Sequence, residues 1–203
     1  MAEEKKSFRE TRVYPVFFML LITIVFIGVL AFFYNSTKER VTKYNELRLK
    51  SSILSTFDLN GENVEETFDK YITKVEKEDL IYYIAEDNRE LLGYCFPISG
   101  AGLWGTINAL LTLEPDLSRI INIEIIKHNE TPGLGGRISE KWFKDQFKGK
   151  TILSGDKVRT FELIPEDETG NDLQIRQVTG ATLSSKAVVD IIVREMESIK
   201  TLN

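Results

Sequence analysis

Residues 178–187 read VTGATLSSKA, and residues 188–202 continue as VVDIIVREMESIKTL. In the second stretch Val188, Ile192, Met196 and Ile199 recur at helical spacing, with acids and bases on the opposite side. This predicts an amphipathic helix with one face packed on a sheet. The small residues in front of it form the helix entry. Gly180 admits a backbone conformation closed to other residues, and Ala181 keeps the approach open. Thr182 then falls where orphan N–H groups and the positive end of the helix dipole favour an anion. Ser184 and Ser185 add hydroxyl donors, and Thr179 and Leu183 complete the candidate set. Lys186 reads as a first-turn cation, which is unfavourable there unless something negative is held nearby; a phosphate would meet that need. The same residues also have a purely structural reading, with Thr182 as an N-cap whose loss costs typically about 1 kcal/mol.

Upstream, residues 128–137 read HNETPGLGGR, between a strongly β-patterned run and a helical one. Pro132, Gly133, Gly135 and Gly136 make a loop able to wrap closely around a flat ligand, with Glu130, Thr131, Leu134 and Gly135 as its candidate contacts. Loops of this composition also occur with no function, and a single His128 is more often satisfied locally than catalytic. A third segment, SGAGLWGT at 99–106, sets glycines around Trp104. It offers the indole either as a stacking surface or as a core side chain.

The runs LIYYIAE, ELLGYCFPIS, GLWGTINALLTL and LSRIINIEIIKH, separated by turn residues, predict four strands of a mostly antiparallel sheet. VRTFELIP and LQIRQVTG predict a further strand pair. RISEKWFKDQFKGK predicts a short helix with Ile138, Trp142 and Phe143 inward. Before the sheet, NVEETFDKYITKVEK spaces Val64, Phe68, Ile72 and Val75 as a helix following Asn63 as N-cap. Val41, Tyr44, Leu47, Ile53, Leu54 and Phe57 have spacings compatible with an earlier helix.

From Val13 to Thr37 no residue is charged, and the centre is apolar almost throughout. A hydrocarbon core of roughly 30 Å needs about 20 helical residues, so this stretch is predicted to be one transmembrane helix. A cleaved signal peptide is the competing reading. Against it stand the length of the run and an exit, FFYNSTKER, without a small-x-small cleavage pattern. Lys5, Lys6, Arg9 and Arg12 precede the span, while Lys38, Arg40, Lys43, Arg48 and Lys50 follow it, so charge does not orient the helix. The expected organisation is a cytoplasmic leader at 1–12, the span at 13–37, a juxtamembrane helical region at 38–79 and an α+β domain at 80–203, with a mixed, mostly antiparallel sheet packed with helices.

Residues 38–203 carry 22 basic and 28 acidic side chains, which leaves no basic footprint for nucleic acid. With one cysteine, Cys95, and one histidine, no Cys/His metal cluster can be assembled. Cys95 lies in an apolar run and reads as a small core residue.

Taken together, ETPGLGG, then TGATLSS at a helix start some 45 residues later, both after GLWGT and behind one membrane span, resemble the FMN-binding subunits of two respiratory complexes. These are the G subunit of Rnf complexes and the C subunit of sodium-pumping NADH:quinone reductases. The resemblance covers roughly residues 10–203. It implies that Thr182 carries FMN through a phosphoester bond, installed from FAD by a separate flavin transferase. It implies an electron-carrier subunit, with the other membrane subunits of an Rnf-type or Nqr-type complex as partners, in a complex linked to sodium or proton transport. It also places the domain on the extracytoplasmic side of the cytoplasmic membrane, in contact with lipid through its anchor. The family commonly has an aspartate six residues before the modified threonine, where this chain has Arg176. GLWGT with LLTLEPDL leans towards the quinone-reductase type and the short chain towards the Rnf type. Two other classes are open: a stand-alone membrane-tethered flavoprotein reductase, for which no substrate-site residues can be read, and a flavin-free anchored scaffold.

Overall fold

The structure is a computed structural model that describes residues 13–77 and 80–202. The expected leader at 1–12 lies outside the described residues. The chain divides into two compact units, Met1–Glu46 and Leu47–Asn203.

In the first unit the chain is the N-terminal part of α1 (Tyr14–Thr56), a helix of 43 residues. Its apolar side chains are exposed on every side, from Val16 and Phe17 to Phe33 and Tyr34. A helix apolar all round has no polar face to turn to water, and this is the one helix among the described residues long and apolar enough to cross a membrane. It runs unbroken through FFYNSTKER.

In the second unit, α1 residues Ile53 and Leu54 are buried in a cluster with Phe68, Tyr83, Cys95 and Leu110. The next helix, α2 (Val64–Tyr71), starts as expected. Asn63 Oδ1 accepts from Glu65 N–H at 3.0 Å, and its amide donates to Glu66 at 2.8 Å. The first bond satisfies one orphan backbone donor of the first turn, and the second ties the capping side chain to Glu66. The helix does not reach Val75. Ile72–Lys77 is instead strand β1, at the edge of the sheet and antiparallel to β2 (Leu80–Asp87). Ile72, Thr73 and Val75 are β-branched, and pairing with β2 overrides a helical spacing that continues through them.

The order β1-β2-β3-β4-β5 is a simple antiparallel meander, completed by β3 (Glu90–Ala101), β4 (Thr106–Leu113) and β5 (Ile120–Lys127). The four strands expected from the sequence are these last four, with GLWGT forming the β3–β4 turn rather than the start of a strand. Both faces are covered. Cys95 and Leu110 point to the cluster beneath α1 and α2, while Phe96, Ile98, Leu111 and Ile123 point to the larger core. Double burial explains the nearly continuous apolar runs.

The larger core is closed by residues 135–147 and by α4 (Thr182–Ile199). The expected single helix in RISEKWFKDQFKGK is three short pieces: a 3₁₀ turn at Gly135–Ser139, α3 (Lys141–Lys144) and a 3₁₀ turn at Asp145–Phe147. Ile138, Phe143 and Phe147 are fully buried and Trp142 half-buried. Burying a phenylalanine stabilises by about 1.5–3 kcal/mol, so aromatic anchorage holds a segment with little helical length of its own. Short hairpin strands β6 (Leu153–Ser154) and β7 (Lys157–Val158) follow. The last strands, β8 (Glu162–Ile164) and β9 (Gln174–Arg176), pair in parallel. On α4, Val188, Ile192, Met196 and Ile199 are all buried, as the periodicity predicts.

Candidate functional site

Gly180 has φ +76°, the left-handed region that costs a residue with a Cβ. The chain turns there and enters α4, with Ala181 as the N-cap and Thr182 as the first helical residue. Alanine offers no oxygen to cap the helix. The turn before the entry is held instead by Ser185, whose buried Oγ accepts from Val178 N–H at 2.9 Å. Ala181 N–H donates to Val178 O at 2.9 Å. Thr182 is therefore not the N-cap: its side chain is exposed, and among the described residues nothing hydrogen-bonds its hydroxyl. The N–H groups of Thr182, Leu183 and Ser184 likewise find no acceptor there, which leaves the positive end of an 18-residue helix open beside a free hydroxyl.

The two serines have internal roles instead of facing an outside anion. Ser184 is buried and donates its hydroxyl to Glu130, itself 4% exposed. Lys186 is the fifth residue of α4, one turn beyond the first, and pairs with Asp190 at 2.6 Å. A carboxylate four residues on answers its charge, so the lysine does not by itself require a bound anion.

The three motif segments meet at this point. Glu130 Oε1 accepts from Trp104 N–H at 3.0 Å while Oε2 accepts from Ser184. A Cβ at Gly102 would lie 2.5 Å from Glu130 Oε1, and one at Gly135 would lie 2.8 Å from Oε2. Both motif glycines thus leave room for this carboxylate. Thr131 is exposed, and its carbonyl accepts from Leu134 and Gly136 N–H at 3.2 and 2.9 Å, closing the glycine loop on itself. His128 Nδ1 accepts from Glu130 N–H at 3.2 Å, the local satisfaction expected of it.

The three motif segments also carry exposed apolar side chains. Trp104 is 69% exposed, which decides for a surface indole over a core one, and Leu103, Leu134 and Leu183 are also exposed. Leu134 Cδ2 stands 3.2 Å from where a Gly180 Cβ would be. Beside Leu183 a cleft of about 420 Å³ runs between the β3–β4 turn and α4, lined by Leu103, Lys186, Ala187, Ile191 and Arg194 among others. Exposed large apolar side chains near an unbonded hydroxyl make this a candidate binding surface.

Thr179 is fixed by a residue that sequence reasoning missed. Its N–H donates to Glu166 at 2.7 Å, and Glu166 also pairs with Arg137. The Arg137 guanidinium, and then the Thr179 N–H, hold the Glu166 carboxyl down to about 2. Within PEDETG, Glu166 is one of several acids that read as a solvated loop, and no sequence signal singles it out. Arg176 lies over the Trp142 ring at 5.7 Å, a ring it shares with Arg137 at 5.6 Å, and is bonded to Gln146. Cys95 is fully buried beside Thr56 and Thr112; burial pushes its thiol up to about 12.

Comparison with known proteins agrees with this geometry. Residues 102–196, which hold GLWGT, ETPGLGG and TGATLSS, match the FMN-binding domain family. Over 120 residues the chain is 32% identical to the G subunit of the proton-translocating ferredoxin:NAD(+) oxidoreductase complex of Clostridium ljungdahlii, covering 59% of this chain and 60% of that protein. It is 30% identical over 115 residues to the C subunit of the Na(+)-translocating NADH-quinone reductase of Pseudomonas aeruginosa, covering 54% and 44%. The matches thus span about half the length of these curated relatives. The crystal structure of the C subunit of the Na(+)-translocating NADH-quinone reductase from Parabacteroides distasonis has the same fold, with a TM-score of 0.66 at 21% identity over 77% of this chain and 92% of that one. The resemblance read from the motifs therefore holds, to Rnf G and Nqr C subunits alike. Relatives in membrane complexes, together with the apolar part of α1, support membrane anchoring.

Proposed function

We propose that the chain is a membrane-anchored redox subunit that holds FMN on Thr182 through a phosphoester bond, within an ion-translocating complex of the Rnf type. The observation that carries this reading is the exposed, unbonded hydroxyl of Thr182 at the open N-terminus of α4, in a domain that matches the FMN-binding family. Attachment forms a bond from Thr182 Oγ1 to the FMN phosphorus as the pyrophosphate of FAD breaks. AMP leaves and the hydroxyl proton is released, with a flavin transferase as the catalyst.

The residues present fit the group. Free N–H groups of Thr182, Leu183 and Ser184 stand at the attachment point and favour its phosphate charge. Trp104, Leu134 and Leu183 supply apolar surface for a flat ring, and Thr131 and Gly135 belong to the loop beside it. FMN brings one- and two-electron transfer, and the protein supplies position and electrostatics. Partner subunits of the complex would deliver and remove the electrons, with the domain on the extracytoplasmic side. Assignment to a quinone-reductase complex is the second reading, supported by the Pseudomonas relative.

The test is to produce the full chain with a flavin transferase and FAD, denature it, and look for flavin fluorescence and the mass of one added FMN. Wild type should show both and Thr182→Ala neither. A colourless wild type would favour a flavin-free scaffold, and fluorescence surviving in Thr182→Ala would move the attachment elsewhere.

A further inference from the structure

Glu130 is the one Asp, Glu, Lys, Arg or His side chain buried among the described residues. Its two oxygens reach in opposite directions along the sequence, to Trp104 N–H 26 residues before it and to the Ser184 hydroxyl 54 residues after it. Its own N–H is held by His128. We infer that Glu130 is the positioning residue for flavin attachment: its carboxylate locks the first turn of α4 and the Trp104 turn into one surface that presents Thr182 Oγ1 to the phosphoryl donor. This rests on the reading of Thr182 as the attachment residue.

Ala181 cannot tie the first turn of α4 through a side-chain oxygen, and Thr182 makes no bond of its own. Ser185 anchors the preceding turn by accepting from Val178 N–H. Ser184, two residues after Thr182, ties the helix start itself to both other motif segments through Glu130, while Glu166 links the preceding Thr179 to Arg137 of the glycine loop alone. Ser184 cannot shift without Glu130, and Glu130 is boxed by the glycine positions at 102 and 135, where even a Cβ would crowd its oxygens. A carboxylate in this space is costly to bury unless both oxygens find donors, and an apolar side chain would fill the volume with less penalty. What an apolar residue lacks is the pair of directional bonds that fix Thr182 relative to Trp104. Transfer to a hydroxyl depends steeply on that placement, since misplacement by about 1 Å can cost on the order of a hundredfold in rate.

The experiment measures the initial rate of covalent flavin incorporation into the full chain, with transferase and FAD in excess, alongside thermal melting of the unflavinylated protein. Glu130→Ala should slow incorporation by roughly tenfold or more, and Ser184→Ala, which removes one arm only, by less. Glu130→Gln keeps an acceptor for Trp104 N–H and an amide that can donate to Ser184, so it should restore the rate to within about twofold of wild type. Leu111→Ala, a core change on β4 outside the three motif segments, serves as the stability control. It should incorporate flavin at the wild-type rate despite a lowered melting temperature. Wild-type rates in both Glu130→Ala and Ser184→Ala would overturn the proposal. So would a loss in Leu111→Ala equal to that of a Glu130 variant with the same melting temperature. Should Glu130→Ala not fold, Ser184→Ala against Glu130→Gln still decides. Thr182→Ala in the same series separates the two claims: flavin retained there sinks the attachment reading, whereas flavin lost there but unaffected in the Glu130 and Ser184 variants sinks the positioning role alone.

Discussion

Arg137 grips Glu166 with two guanidinium N–H groups, Nη2 to Oε1 at 2.8 Å and Nη1 to Oε2 at 3.2 Å, and the same carboxylate receives Thr179 N–H at 2.7 Å. A residue from neither motif thus ties the glycine loop to the TGAT turn. Its carboxyl lies at about 2, below the ordinary value of 4.5, held there first by Arg137. A depressed folded pKa contributes stability above the unfolded pKa and loses it as pH falls through the folded one. Glu166→Gln should therefore melt below wild type at neutral pH. The gap should narrow as pH falls from 4.5 through 2 and be smallest below it, where the wild-type carboxyl is protonated in the folded and unfolded chain alike. A pH-independent gap between the two melting curves would show that packing, not ionisation, sets the difference.

Gly180→Ala and Thr182→Ala, two residues apart in sequence, should behave oppositely in denaturant melts of the unflavinylated chain. At Gly180, φ +76° and contact with Leu134 make any Cβ unfavourable, by about 1–2 kcal/mol for the backbone conformation alone. At Thr182 the side chain is exposed and unbonded, so its truncation should stay within about 0.5 kcal/mol. A loss near the roughly 1 kcal/mol typical of a cap would revive the capping reading of that threonine.

Ser185→Ala should cost more than the exposed threonine, about 1–3 kcal/mol, because it strands the buried Val178 N–H. Hydrogen exchange at Val178 is the direct readout, and protection unchanged from wild type would mean that another group takes the proton.

The sequence showed the sheet and the last helix clearly because both obey a single period over many residues: four apolar runs for β2 to β5, and Val188, Ile192, Met196 and Ile199 along α4. It misled at Ile72, where a helical spacing runs on into β-branched residues that an available strand partner captures, and between Gly135 and Phe147, where buried aromatics hold three short turns in place of one helix. At the site, Thr182, Leu134 and Trp104 could be picked out because glycines and hydroxyls cluster around them. The work of Glu130 could not be read, since its partners are 26 and 54 residues away. Lys186 was legible as a charge, but its true partner, Asp190, turned out to be the simpler one four residues on.

The side of the membrane is a separate expectation, since basic residues flank the apolar helix at both ends. With the domain extracytoplasmic, protease added to cells with a permeabilised outer layer should remove the chain from Lys38 onward while cytoplasmic controls survive. Protection of the domain together with those controls would reverse the topology.

Leu134 offers the sharpest test of where the flavin ring rests. Its side chain is 48% exposed and lies against Gly180, two residues before the attachment hydroxyl, so a ring tethered at Thr182 has Leu134 within its reach as an apolar contact. Because that side chain is half in solvent, Leu134→Glu should fold and should keep the covalent bond, leaving in-gel fluorescence per protein unchanged. A charge set beside the ring should nevertheless shift its absorption and lower its midpoint potential, since a nearby anion disfavours added electrons. Thr182→Ala, with no flavin at all, is the control for background. A Leu134→Glu protein with wild-type spectrum and potential would place the ring elsewhere, with the cleft beside Leu183, Ala187 and Ile191 as the next surface to probe.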